Sequence, residues 1–94
     1  MESFSREDKM LFKVLGVNPN KVSYKRISAK LITDFEKFFS MIIPKDVEEI
    51  ILLLSPQING EEIVKSLNKK YPQASIFAIL IDSLKDDEIL LITR

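Results

Sequence analysis

The sequence contains no cysteine, no histidine and no tryptophan, and it has only two glycines in 94 residues. Without cysteine there can be no disulfide, no thiolate nucleophile, and no zinc or iron-sulfur site with sulfur ligands. Without histidine there is no imidazole ligand and no side chain whose ordinary pKa lies near neutrality. Serine-histidine and cysteine-histidine catalysis are therefore excluded. An enzyme would be limited to carboxylate, lysine, tyrosine or serine chemistry, with any divalent cation held by oxygen.

The hydrophobic content is 46%, dominated by 13 isoleucines and 11 leucines, which is typical of an ordered globular chain. The length predicts a single domain over residues 1–94, with a basic helical part at 1–45 and a β-α-β-β part at 46–94. No apolar run is long enough for a transmembrane helix, and the first residues lack the pattern of a secretory signal. We therefore expect a cytoplasmic protein, and its lysine-rich composition is compatible with a thermophilic source.

Two helices are predicted in the first half of the chain. Residues 5–16 show helical spacing of apolar side chains, with Ser5 as a capping residue and Gly16 as a terminating residue. A second helix is predicted from Ser23 to about Ile42. The block Leu15-Gly16-Val17, followed by Pro19 and Ser23, resembles the helix-turn-helix opening of the J-domain family of co-chaperones. Because the His-Pro-Asp tripeptide of that family is missing, the resemblance implies only the local turn geometry.

The second half predicts a strand at 50–54, a helix from Asn59 to about Tyr71, and strands at 75–82 and 88–93. The strand-helix-strand unit should be parallel, and the last two strands should form an antiparallel hairpin. The predicted fold class is α/β (α+β-like): two N-terminal helices, then strand-helix-strand-strand, with a three-stranded mixed sheet covered by helices. All strands are apolar on both faces, so we expect the two N-terminal helices on one face and the third helix on the other, or a second copy that completes the cover. An uncovered edge at Ile89 to Ile92 would favour pairing with another strand, which predicts a homodimer through that edge or face.

A different interpretation of residues 10–17 changes the order of the elements. If Met10 to Val17 formed a strand, the order would be strand, helix, strand, helix, strand, strand. This order, with Gly16-x-x-Pro19, is similar to that of the Alba family of archaeal chromatin proteins. The capping signals at Ser5 and Gly16 favour the helix.

Charge is segregated along the chain although the net charge is zero. Residues 1–45 hold nine Lys/Arg and five Asp/Glu, giving +4, whereas residues 46–94 hold five and nine, giving −4. One stretch has six cations and no acid: Lys9, Lys13, Lys21, Lys25, Arg26 and Lys30. Gathered on one surface, these side chains would bind a phosphate backbone without sequence preference. The alternatives are solvated helix faces, whose aliphatic stems cover the core, or contact with an acidic protein.

Two other groups of residues are interpreted as turns. The loop from Ser55 to Gly60 follows a strand and precedes a helix, but it lacks a dinucleotide fingerprint and a P-loop. The only dense carboxylate cluster surrounds the predicted hairpin turn, where aspartate is favoured for its local hydrogen bonding. A magnesium-dependent enzyme using this cluster is the minor alternative. The cluster consists of Asp82, Asp86, Asp87 and Glu88.

The sequence thus predicts a small non-catalytic protein that binds nucleic acid through basic N-terminal helices, or an accessory subunit of a nucleic-acid-processing complex. Its partners would be the phosphate backbone of DNA or RNA, together with a larger protein or a second copy. The alternative function is a protein-protein interaction or structural subunit that dimerises, or pairs with a larger chain, through its apolar sheet. Neither hypothesis includes a cofactor, a metal, a catalytic residue, a membrane or a small-molecule substrate.

Overall fold

The computed structural model describes residues 13–16, 18 and 21–94, and it shows a mixed α/β fold as predicted. Four strands form one sheet, and two α-helices and a short 3₁₀ helix connect them. In chain order the elements are β1 (Ser23–Ser28), the 3₁₀ helix (Ala29–Leu31), α1 (Phe35–Ile42), β2 (Glu49–Leu54), α2 (Gly60–Lys70), β3 (Ser75–Leu80) and β4 (Glu88–Thr93).

The strands are ordered β1-β4-β2-β3 across the sheet. β2 and β3 are parallel, as the strand-helix-strand prediction required, whereas β4 is antiparallel to both β1 and β2. The predicted hairpin between the last two strands is therefore wrong, because β4 crosses back to lie between β1 and β2. The predicted free edge at Ile89 to Ile92 is wrong for the same reason. Because β4 is apolar from Ile89 to Ile92, both of its faces are buried in the centre of the sheet. In that position its backbone N–H and C=O groups also find hydrogen-bond partners on both neighbouring strands.

Alternate residues of the two central strands supply two apolar layers, as the pleat of a strand requires. On the first face, Leu52 of β2 and Leu91 of β4 lie in the cluster that contains Phe39 of α1 and Leu67 of α2. Both α-helices therefore cover the same face. On the second face, residues of β2 and β4 form a smaller cluster, against which Leu15, Val22 and Tyr24 pack. The buried members of this second cluster are Ile51, Leu53, Leu90 and Ile92.

The predicted helix from Ser23 to Ile42 is wrong in its first half and correct in its second half. Residues 23–28 form β1, which pairs with β4 from Ser23↔Thr93 to Ser28↔Glu88. The free side of β4 needs backbone partners, and β1 supplies them. Helix α1 begins only after Asp34, whose carboxylate accepts a hydrogen bond from the Lys37 N–H at 3.1 Å. Leu31, which a helix at these residues would place on the same apolar line as Tyr24 and Ile27, is 84% exposed.

The described residues near Gly16 agree with the predicted first helix. Residues 13–15 are helical, and Gly16 has φ of +70°, the left-handed conformation that ends helices. The earlier part of that helix lies outside the described residues. The strand interpretation of Met10 to Val17 is wrong at 13–15. From β1 onward the elements follow the order strand, helix, strand, helix, strand, strand, but the first strand is Ser23–Ser28 and not residues 10–17. Because residues 23–28 form β1 and not a helix, the predicted helix-turn-helix is wrong.

Helix α2 has the predicted ends. The Asn59 side chain accepts a hydrogen bond from the Glu62 N–H at 3.4 Å, and Lys69 and Lys70 occupy the last turn. The next residue, Tyr71, is buried against α1. Within the described part of the chain, no helix has both the length and the apolar character needed to span a bilayer.

Candidate functional site at the sheet edges

The β1 edge of the sheet carries two adjacent cations on opposite faces. Lys25 lies opposite Leu91 of the first face, whereas Arg26 lies opposite Leu90 of the second. The Arg26 guanidinium contacts the buried Glu88 carboxylate, with Nη1 2.9 Å from Oε1. Arg26 thus balances the one buried carboxylate among the described residues.

Lys30 lies close to a second acid at the end of the same edge. The Asp87 carboxylate accepts a hydrogen bond from the Ser28 hydroxyl, and the Ala29 N–H donates to the Asp87 carbonyl. The Ser28 hydrogen bond lowers the pKa of Asp87, with smaller contributions from the charges of Lys30 and Lys85. This contact ties the end of β1 to the residue just before β4.

Five of the six cations predicted to bind nucleic acid lie in the described part of the chain, and Lys9 lies outside it. Their side chains are exposed, and they lie in the short helix at 13–15, just before β1, on β1 itself and in the 3₁₀ helix: Lys13, Lys21, Lys25, Arg26 and Lys30. Lys25 and Arg26 face opposite sides of the sheet. Arg26 and Lys30 each have an acid nearby, Glu88 and Asp87 respectively. Binding of nucleic acid by these residues stays a prediction.

The carboxylates around the predicted hairpin turn do not share one site. Asp82 and Asp86 are exposed, whereas Asp87 and Glu88 bind side chains of β1. Among the described residues, no group of three or more acidic side chains is arranged to hold a metal ion.

The β3 edge differs from the β1 edge because its backbone can accept another strand. The Ser75 N–H donates to the Glu48 carbonyl at 3.0 Å, and the Ile81 N–H donates to the Leu54 carbonyl at 2.8 Å. In a parallel pair, alternate residues direct both backbone groups to the neighbouring strand. The intervening residues therefore direct theirs away from β2, toward a side where the described chain has no strand. These residues are Ile76, Ala78 and Leu80.

The side chains of the β3 edge are apolar and partly exposed. Residues 75–81 include no charged residue. Phe77 is 50% exposed on the second face, and Leu80 is 61% exposed on the first. Beside Leu80, a groove of about 570 Å³ separates α2 from β3, and its walls include Val64, Ala78 and the polar side chains Glu61 and Lys65.

Sequence reasoning missed this edge. It placed the uncovered edge at β4, which is equally apolar, because a hairpin is the commonest way to join two neighbouring strands. The charges of the flanking strands mark the exposed edge only once residues 23–28 are known to form a strand. A strand with two cations, such as β1, is typical of a protected edge, so an uncharged strand outside the centre is the exposed one.

The family model described as "Domain of unknown function (DUF4898)" matches residues 9–91. The chain belongs to the DUF4898 family. The matched range includes α1, α2 and the first three strands, so both sheet edges lie within the DUF4898 domain. Neither the curated proteins nor the solved structures gave a match.

Proposed function

We propose that the protein acts by binding another polypeptide chain, and not by catalysis, and that the added chain pairs with the β3 edge. One observation carries this proposal: the two edges of the same sheet are built differently. Lysine and arginine on an edge strand oppose the addition of a further strand, and β1 has both. On β3 such charges are missing, and the outward backbone groups of Ile76, Ala78 and Leu80 face away from the sheet.

The exposed side chains support the same interpretation. In strand addition, main-chain hydrogen bonds provide affinity, and alternate side chains of the added strand provide specificity. Phe77 and Leu80 offer apolar surface on opposite faces of β3, so an added strand would cover both. Burial of such surface contributes about 25 cal/mol per Å² before the costs of association are subtracted.

The substitution Phe77→Lys tests this proposal. A lysine on the edge strand should cost the protein little stability, because Phe77 is half exposed, but it should oppose pairing with another strand. We expect complexes formed by the wild type, with itself or with a copurifying chain, to be lost. Light scattering coupled to gel filtration and mass spectrometry of affinity-purified samples measure this loss.

Lys25→Ala, at the opposite edge, is the matched control, and it should leave those complexes intact. A wild-type protein that forms no complex, or complexes that survive Phe77→Lys in a folded variant, would contradict the proposal.

Nucleic-acid binding is the second candidate function. It is favoured by the exposure of Lys21, Lys25 and Lys30, which lie within ten residues of the chain, on β1 and directly before and after it. Fluorescence anisotropy with a labelled oligonucleotide should then show binding that weakens as salt rises. The triple substitution of Lys25, Arg26 and Lys30 by alanine should reduce it by at least about tenfold. Absence of binding at low salt would exclude this function.

A further inference from the structure

We infer that the strand that pairs with the β3 edge is β3 of a second copy, antiparallel to the first, with the two-fold axis at Ala78. This inference rests on the proposed function and names the partner. The dimer would join the two sheets into one continuous sheet. Three features support it: the backbone register of β3, the side chains that would face one another across the axis, and the charges of the neighbouring helix α2.

The backbone register allows the outward groups of both copies to pair fully. An axis at Ala78 places Ala78 opposite its own counterpart, and Ile76 opposite Leu80 of the second copy. All of these residues direct N–H and C=O away from β2. In an antiparallel ladder each such facing pair exchanges both hydrogen bonds. Every outward backbone group of β3 therefore gains a partner.

The facing side chains from Ile76 to Leu80 are all apolar in this register. On the second face, Phe77 lies opposite Ile79 of the second copy, as a pair without direct backbone hydrogen bonds. Such pairs have the closer side chains, with Cβ atoms about 4.5–5.5 Å apart. On the first face, Leu80 lies opposite Ile76 of the second copy. The two most exposed apolar side chains of β3 are thus covered together, with no like charges facing one another.

The charges of α2 complement one another across the same axis. Val64 and Lys65, at the middle of α2, line the groove beside Ala78, so an axis at Ala78 passes close to the helix midpoint. The second α2 then runs antiparallel to the first. The acidic first turn of one helix, with Glu61, faces the basic last turn of the other, with Lys69. Antiparallel helix dipoles add to this attraction.

The charges on the β1 edge limit the assembly to two copies. A β3-to-β3 contact is isologous and closes on itself, whereas a β3-to-β1 contact would repeat and build a fibre. Lys25 and Arg26 on β1 oppose the second arrangement. Each copy therefore pairs with one other copy, through β3, and its β1 edge stays free of a further strand.

A single cysteine at the axis gives the most direct test. The chain has no native cysteine, so Ala78→Cys introduces the only thiol. Facing Cα atoms of a hydrogen-bonded antiparallel pair lie about 5.5 Å apart, which falls within the range that a disulfide spans. With oxidised glutathione, we expect most of this variant to become a covalent dimer. Lys25→Cys, on the β1 edge, should form little covalent dimer under the same conditions, because its cysteine lies away from the β3 contact.

A charge exchange tests the orientation of the two copies. Glu61→Lys and Lys69→Glu each place like charges opposite one another twice, so each variant alone should dimerise about tenfold more weakly. An equimolar mixture restores both attractive pairs, so heterodimers should form with about the wild-type dissociation constant. Native mass spectrometry distinguishes the species, and circular dichroism verifies that each variant is folded.

The possible outcomes separate this inference from the proposed function. A monomeric wild type that binds a different chain, with loss of binding in Phe77→Lys, would overturn the dimer and leave the proposed function standing. A dimer that withstands Phe77→Lys and gives no cross-link at Ala78→Cys would overturn both. A cross-linked dimer without recovery in the charge-exchange mixture would overturn the antiparallel arrangement of α2.

Discussion

Leu52→Ala should lower the free energy of unfolding by about 2–5 kcal/mol. Leu52 is fully buried on β2, between β4 and β3 and beneath both α-helices. Removing Cγ and both Cδ methyl groups takes away apolar burial and leaves a cavity that the surrounding strands fill only in part. Urea denaturation followed by circular dichroism measures the change as a lower midpoint with a similar slope.

Leu31→Ala is the matched control, since this leucine is 84% exposed on the 3₁₀ helix. It should change the free energy of unfolding by less than about 0.5 kcal/mol. Equal losses for the two variants would contradict the assignment of the first face as the main core.

Tyr71→Phe should lower the free energy of unfolding by about 1–3 kcal/mol. The Tyr71 hydroxyl lies 2.8 Å from the Ile43 carbonyl oxygen and 3.2 Å from the Phe39 carbonyl oxygen, at the carboxyl end of α1. The Phe39 carbonyl also accepts the Ile43 N–H at 2.8 Å, whereas the Ile43 carbonyl belongs to the C-cap, beyond the residues whose carbonyls have intrahelical donors. The substitution keeps the ring but removes the donor.

The pH dependence offers a second measurement of the same contact. Burial raises the pKa of Tyr71. The neutral hydroxyl therefore stabilises the fold below the pKa of the unfolded chain, about 10, and this contribution is lost as the pH rises through the higher folded value. Urea midpoints of wild type and Tyr71→Phe should converge in strongly alkaline buffer. Ser40→Ala, which removes an exposed hydroxyl bonded to the Lys37 carbonyl, is the control and should show no such convergence.

The elements with strong local signals could be predicted from the sequence. Helix α2 has a capping asparagine at one end and lysines at the other, and β2 is a short apolar run. These features act within a few residues of the chain. The parallel crossover of β2-α2-β3 follows from its connection, which is too long for a hairpin.

Strand neighbours that are distant in sequence could not be predicted. The register of β1 against β4 joins Ser23 to Thr93, and no local pattern encodes such a pairing. Residues 23–31 also satisfy a helical spacing of apolar side chains, through Tyr24, Ile27 and Leu31. Pairing with β4, whose backbone lacks a second neighbouring strand without β1, outweighs the weak helical preference of residues 23–28. The identity of the exposed edge depends on this pairing, so the candidate site could not be located either.

Amide hydrogen exchange at Ile76, Ala78 and Leu80 is the most direct measurement of whether the β3 edge pairs with another strand. We predict that these amides are protected at high protein concentration and lose protection on dilution, while amides of the central strands β2 and β4 stay protected throughout. Exchange at the rate of unpaired amides at every concentration, with or without copurified partners, would contradict the account.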